Sequence, residues 1–344
     1  MMTRRMPSAH CSTSWIARAP ALFRAAFRPF SAMTERTFPE PPGGRMNSAR
    51  HRLLSLDNTG LLYAGTALFW GSGALVTTTQ VATGAPEPSV ALRMLLLCPL
   101  ALAASRARGE RLIPAAMPWR LVAAQGSVFF GLAFVAFYHA TSLIPSGLAA
   151  LVLSTSSLFA GLFGWIFLRA RLSRPAVAGI LLGLSGLALI VLPGMSLEIG
   201  SGAIFAGFAW AALAAAATGG GALLSERIGT FSIPPFAQMG WGAFFGGCFA
   251  LALAIFNPAT IWPEITPTYL GGFAYMVLGA SFLCFSLYLR LIGKVGAARA
   301  SYVMTVVPLI ALLLSAIFEN YIVGPATIAG AVAIIAGNLL IWRN

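Results

Sequence analysis

Residues 131–192 read GLAFVAFYHATSLIPSGLAALVLSTSSLFAGLFGWIFLRARLSRPAVAGILLGLSGLALIVL, and residues 281–342 read SFLCFSLYLRLIGKVGAARASYVMTVVPLIALLLSAIFENYIVGPATIAGAVAIIAGNLLIW. Displaced by 150 positions, the first stretch lies over the second. Tyr138 falls on Tyr288, Ala150 on Ala300, Thr155 on Thr305, Leu162 on Leu312, and Pro175-Ala176 on Pro325-Ala326. In both copies a long apolar run is closed by a turn and a proline, and a second apolar run rich in small residues follows. Hydropathy, turn and proline agreeing at one offset mark an internal duplication.

Composition gives the repeat its medium. Of 344 residues, 58% are hydrophobic and 9% charged, where a soluble domain carries roughly 25% charged residues. From Gly60 onward the chain divides into apolar runs, each near the 20 or so residues that a bilayer requires. They cover Gly60–Val81, Pro88–Ala104, Leu121–His139, Ser146–Leu168, Pro175–Leu192, Gly200–Leu224, Pro235–Phe256, Thr268–Leu291, Gly296–Phe318 and Pro325–Trp342. Period-2 alternation is absent and the runs are too long for barrel strands, so helices are the spanning element. The expectation is an all-α polytopic membrane protein of ten transmembrane helices, with one five-helix repeat over 60–192 and a second over 200–342.

The formal charge of +13 would suggest nucleic acid in a soluble protein, but its distribution argues for topology instead. Arg106, Arg108, Arg111 and Arg120 follow the second run, and Arg169, Arg171 and Arg174 follow the fourth. Arg227 follows the sixth, Arg290, Lys294 and Arg299 surround the eighth-to-ninth turn, and Arg343 ends the chain. The intervening loops carry Glu87, Glu198, Glu264 and Glu319 without a Lys or Arg. The positive-inside rule then places both termini in the cytoplasm of a cell-membrane protein, and no nucleic-acid partner is expected. Five helices is an odd number, so the second copy enters from the opposite side. Accordingly the basic 169–174 turn maps onto 319–324, which holds no basic residue. Inverted repeats of this kind are typical of secondary transporters, with the substrate site between the halves near the midplane.

Residues 1–52 stand apart, with nine arginines against Glu35 and Glu40. They read as a disordered basic tail, either resembling an organellar transit peptide or lying upstream of a true start such as Met46.

Several stretches in order resemble the EamA-type ten-helix members of the drug/metabolite transporter superfamily. They are Leu68-Phe69-Trp70-Gly71-Ser72, Ala91-Leu92-Arg93, Tyr138 through Ile144-Pro145-Ser146-Gly147-Leu148-Ala149-Ala150, and 179–186 (GILLGLSG). In the second half they are Phe208-Ala209-Trp210, 296–300 (GAARA), and Val307-Pro308-Leu309-Ile310 with Glu319 and Gly330. The resemblance covers Gly60 to the end. Trp70 and Trp210 match at an offset of 140, so an indel separates the early and late parts of the repeat. Such members usually carry Glu at the end of the fourth helix and Pro partway along it, where this chain has Arg169-Ala170 and Ser157-Leu158. The resemblance implies efflux of amino acids or related metabolites, or of drug-like compounds. From a different class, a non-transporting membrane subunit or lipid-handling protein of the same fold is the alternative.

Arg93 is the sharpest candidate for a substrate pathway, because a charge inside a span is costly and is by default functional. Glu87 is its nearest acidic neighbour in sequence. Tyr138 and His139 end the third run. Both are candidates for the substrate pathway; the alternative for Tyr138 is an interface anchor, and His139 is either a satisfied helix-end residue or a site that couples protons. Tyr288, Tyr302, Thr155 and Thr305 are polar groups on the central runs. They are candidates for substrate hydrogen bonds or for glue between helices. Trp70 and Trp210 lie at matching mid-span positions, too deep for an interface belt, and either line the substrate cavity or pack between helices. Small residues at Gly179, Gly183, Ala329, Ala333 and Gly337 predict close packing of the fifth and tenth helices, or a homodimer. Cys11, Cys98, Cys248 and Cys284 have neither disulfide nor metal spacing. No P-loop, nucleophile–base pair or intramembrane metal cluster is readable, so the expectation is no enzyme, no cofactor and no metal.

Overall fold

The computed structural model describes residues 58–114, 117–168, 173–195, 201–295, 300 and 303–342. The basic tail of residues 1–52, the Arg169–Arg171 turn, Arg299 and Tyr302 lie outside them. Among the described residues ten helical spans follow one another and no strand occurs. They are α1 (Thr59–Val81), α2 (Pro86–Ala107), α3 (Trp119–Thr141), α4 in two pieces (Ser146–Leu153 and Ser156–Leu168) and α5 (Arg174–Met195). The second half holds α6 (Ser201–Gly229), α7 (Pro235–Phe256), α8 (Pro267–Val295), α9 (Val303–Phe318) and α10 (Pro325–Trp342). The ten apolar runs are therefore ten helices. Their ends move by a few residues. Pro86 opens α2 in place of Pro88, because a proline at the first helical position has no amide to leave unpaired.

The two halves interlock by exchange. The first helix of each repeat packs on the third and fourth helices of the other: α1 against α8 and α9, α6 against α3 and α4. The remaining equivalents pair with each other, α2 with α7 and α5 with α10. The last pairing fulfils the expectation from the small-residue pattern. A methyl group on Gly186 would lie 2.7 Å from the Gly330 carbonyl oxygen, so the two backbones touch as only glycine allows. Outward faces remain apolar, with Leu181, Val332 and Phe256 exposed, as lipid contact requires.

Both third helices contain a π-helical stretch, Gly126–Leu132 in α3 and Tyr275–Leu283 in α8. Shifted by 150, the first falls within the second. The repeat thus extends to a backbone irregularity that hydropathy does not show. π-Turns are single-turn insertions that frequently mark functional sites.

The fourth span is broken at Ser154-Thr155, where helical hydrogen bonding lapses. Its counterpart α9 carries Pro308 inside the helix instead. In place of a proline, the first copy uses a side chain from α10. Asn338, 2% exposed, donates to the Ser154 carbonyl at 2.9 Å and accepts from the Ser157 hydroxyl at 2.6 Å. Glu319 ties the halves at the other end of the same span. Its carboxylate accepts from the Ser146 amide at 3.0 Å and the Ser146 hydroxyl at 2.8 Å, capping the N-terminus of α4.

Candidate functional site

The first two turns of α2 send three polar side chains into the bundle, and each finds partners on other helices. Arg93 lies seven residues after Pro86, about 10 Å along the helix, and is 4% exposed. Its Nε and Nη2 donate to Ser281 Oγ of α8 at 3.0 and 2.9 Å, and Nη1 donates to the Tyr138 hydroxyl of α3 at 3.1 Å. The guanidinium carbon stands 4.8 Å from the centre of the Phe134 ring. Among the described residues no carboxylate lies within 4 Å of it. The positive charge is thus held at the junction of α2, α3 and α8 by neutral oxygens and an aromatic face.

The backbone explains how the charge fits. Ser281 sits in the π-stretch of α8 and gives its own hydroxyl hydrogen to the Met276 carbonyl, five residues back, at 2.8 Å. Its lone pairs are left for Arg93. The matching residue in α3 is Gly131, and there the repeat is closed. A methyl on Gly126 would meet the Gly242 carbonyl oxygen of α7 at 2.5 Å, and one on Gly131 would meet Phe249 at 2.7 Å. Equivalent helix pairs therefore differ. α3 and α7 touch backbone to backbone, whereas α8 and α2 are separated by a guanidinium.

Glu87, the residue nearest Arg93 among the acids in sequence, does not pair with it. Six helical positions leave the two side chains about 120° apart around the axis, so Glu87 faces α3 instead. Its Oε1 lies 2.8 Å from His139 Nε2. The His139 ring stacks on Trp210 of α6, 4.5 Å between centres and 18° from parallel. Ser89 completes the set, hydrogen-bonding the Tyr269 hydroxyl of α8 at 3.0 Å and the Gln80 carbonyl of α1 at 3.3 Å. Tyr138, expected as an interface anchor, is instead 1% exposed and serves as an Arg93 ligand.

Not all the predicted residues meet here. Trp70 packs against Tyr288, 5.1 Å between ring centres, in a separate apolar cluster with Leu62, Leu287 and Leu291. Thr155 is fully buried and donates to the Val152 carbonyl at 2.6 Å, within its own helix break. Thr305 Oγ1 is buried with no hydrogen-bond partner among the described residues. Tyr302 lies outside the described residues. Arg93, Tyr138, His139 and Trp210 thus form one neighbourhood, and Trp70 with Tyr288 another. Ser281 joins the first without having been singled out for it, and Glu87, expected beside Arg93, joins it through His139. Ser281 was detectable at offset 150, where it replaces Gly131 with a hydroxyl. Among the described residues no group of three His, Cys, Asp or Glu is placed to hold a metal.

Comparison with known proteins gives this geometry a family. Residues 58–192 and 205–343 each match the EamA-like transporter family, and the two matches coincide with the two five-helix repeats. The chain is 26% identical to Protein PecM of Dickeya dadantii over 275 residues, 79% of this chain and 88% of that protein. It is 31% identical over 137 residues to an uncharacterized transporter of Archaeoglobus fulgidus, covering 40% of this chain and 48% of that one. A crystal structure at 23% identity superposes with a TM-score of 0.56, covering 83% of this chain and 98% of its own, which shows a shared fold. With ten apolar helices in two matching repeats, the chain belongs to the EamA-like transporter family of the drug/metabolite transporter superfamily and is a multi-pass membrane transporter.

Proposed function

We propose that the protein is a secondary exporter in the cell membrane, moving a small metabolite that carries a carboxylate or similar anionic group. The observation that carries this reading is Arg93, a buried guanidinium between the halves with neutral partners and a spare net charge. At an effective dielectric near 20, a carboxylate about 4 Å away is attracted by roughly 4 kcal/mol. The solute would take the place that a paired acid occupies in a structural ion pair.

Alternating access follows from the same frame. Both termini lie in the cytoplasm, the basic loops face inward, and the end bearing Glu87 and His139 faces outward. The two five-helix repeats are inverted with respect to each other, which supplies two equivalent packings that open to opposite sides. The α8–α2 contact, spaced by Arg93, and the α3–α7 contact, closed by glycine, are the two halves of that exchange. Trp70 with Tyr288 lines the path on the basic side of Arg93, and Thr305 supplies an unspent hydroxyl to it. No chemistry on the solute is part of this reading.

Purified protein in liposomes tests it. Vesicles loaded with a panel of amino acids and small organic acids, under imposed pH or sodium gradients, should release one anionic or zwitterionic class. Uniform inactivity across the panel under every gradient, with correctly folded protein, would overturn the transport of such solutes.

A further inference from the structure

The Glu87–His139–Trp210 contact has a feature that solute binding does not need. Glu87 is in the first turn of α2, and His139 is in the last turn of α3. Helix N-termini favour negative charge and C-termini favour positive charge, so both helix ends support the ionised pair. The imidazole lies nearly flat against Trp210, and an imidazolium is drawn to an indole face more strongly than a neutral ring is. Trp210 belongs to the second repeat and His139 to the first, so this stack crosses between the halves. The His139 side chain is 25% exposed, enough for protons to reach it from water at this end of the bundle.

We propose that Glu87 and His139, seated on Trp210, form a proton-binding latch in which protonation of His139 holds α3 against α6 and shuts this end. A proton from the adjoining water adds to the imidazole nitrogen, creating the ion pair with Glu87 and the cation–indole stack together. Loss of that proton to the same side removes the ion-pair and cation–indole attractions, leaving a neutral hydrogen bond and ring stack, and loosens this end of α6 against α3. Other ionisable groups nearby are already engaged. Arg93 and Tyr138 bind each other, Tyr269 of α8 is bonded to Ser89, and Glu319 after α9 caps Ser146. Glu264 is exposed in the α7–α8 loop, and Glu226 and Arg227 are at the far end of α6. Imidazole is the side chain whose charge ordinarily changes between pH 5 and 8, the interval that the test samples. Naming this the outer gate rests on the transport reading, whereas the latch itself does not.

The test is made on the full chain in liposomes without solute. Spin labels at Ser142 and Ala203, both exposed, report the separation of the α3 and α6 ends by pulsed electron resonance. Lowering the pH from 8.5 to 5.5 should raise the ratio of near to far populations by about two- to thirtyfold, the range for a cation on an aromatic face. His139→Gln should make the ratio independent of pH, and Glu87→Gln should move the midpoint to lower pH. In unlabelled protein, the emission lost on Trp210→Phe should be quenched at low pH in the wild type and not in His139→Gln. A wild-type ratio and emission that ignore pH overturn the proposal, as does a response that survives His139→Gln. A pH-dependent distance in protein that moves no solute would leave the latch standing and remove the transport reading. Transport with no pH-dependent distance would do the reverse.

Discussion

Replacing Arg93 with methionine separates a transport role from a structural one. The substitution keeps most of the side-chain volume and removes the charge, leaving Ser281 and Tyr138 without their shared donor. Hydrogen bonds to a charged group contribute about 1.5–3 kcal/mol each. The two partners therefore contribute about 3–6 kcal/mol, with roughly 0.5–2 more from the Phe134 face. Against this stands the cost of holding a guanidinium in the membrane, about 2.5–3.5 kcal/mol at its centre. The net loss of stability is about 0–5.5 kcal/mol, set against the roughly 5–15 kcal/mol margin of a folded protein. Solute binding loses the roughly 4 kcal/mol of attraction to the guanidinium, close to a thousandfold in affinity. Arg93→Met should therefore remain monodisperse, with a modestly lower melting temperature, while losing uptake of the anionic solute in liposomes by two to three orders of magnitude. Arg93→Lys should recover part of it, since an ammonium keeps the charge but not the fork that spans Ser281 and Tyr138. Undiminished transport by Arg93→Met would remove Arg93 from the solute path. Collapse of the fold in both variants would make its role structural.

Four further outcomes follow from packing. Gly186→Ala forces a methyl to within 2.7 Å of the Gly330 carbonyl and should cost about 1–3 kcal/mol of stability. By contrast Gly164→Ala, with nothing within 4 Å, should gain up to about 1 kcal/mol from helix propensity. Thermal unfolding of the pair in one detergent checks both. Asn338→Leu strands the part-buried Ser154 carbonyl and should cost about 1–3 kcal/mol, with faster hydrogen exchange confined to residues near 154–158. Unchanged exchange there would show the break to be stable without Asn338. Glu319→Ala removes the cap on Ser146 and should cost about 0.5–2 kcal/mol, seen as a lowered melting temperature and faster exchange at 146–149.

The architecture was legible because the bilayer imposes a length and a loop-charge rule on every span, and because the duplication repeats at one offset. Helix ends were less so. α6 continues to Gly229, beyond Leu224, because Glu226 and Arg227 extend the helix out of the apolar run. The candidate site was legible in its members and not in its pairings. Arg93 beside Glu87 reads as a local pair, but helical rotation separates them and sends Glu87 to a histidine 52 positions away. Neighbours Tyr138 and His139 differ by about 100° around α3, which is why one serves Arg93 and the other Glu87. The small-residue pattern chose the right helices, α5 and α10. The predicted stripe is itself a backbone contact, since a methyl on Gly337 would lie 2.5 Å from the Gly179 carbonyl oxygen, and the seam continues past it to Gly186 and Gly330.

The paired π-stretches bear on the history of the chain. A π-turn accommodates an extra residue in a helix, and both copies have theirs at the same place in the third helix of the repeat. Two independent insertions at one position are a less economical account than a single one. The extra residue therefore belonged to the five-helix ancestor, before its gene doubled. What diverged afterwards was the residue at the bulge, glycine at 131 and serine at 281. An older irregularity was thereby put to two uses, a tight seam in one copy and a seat for a cation in the other.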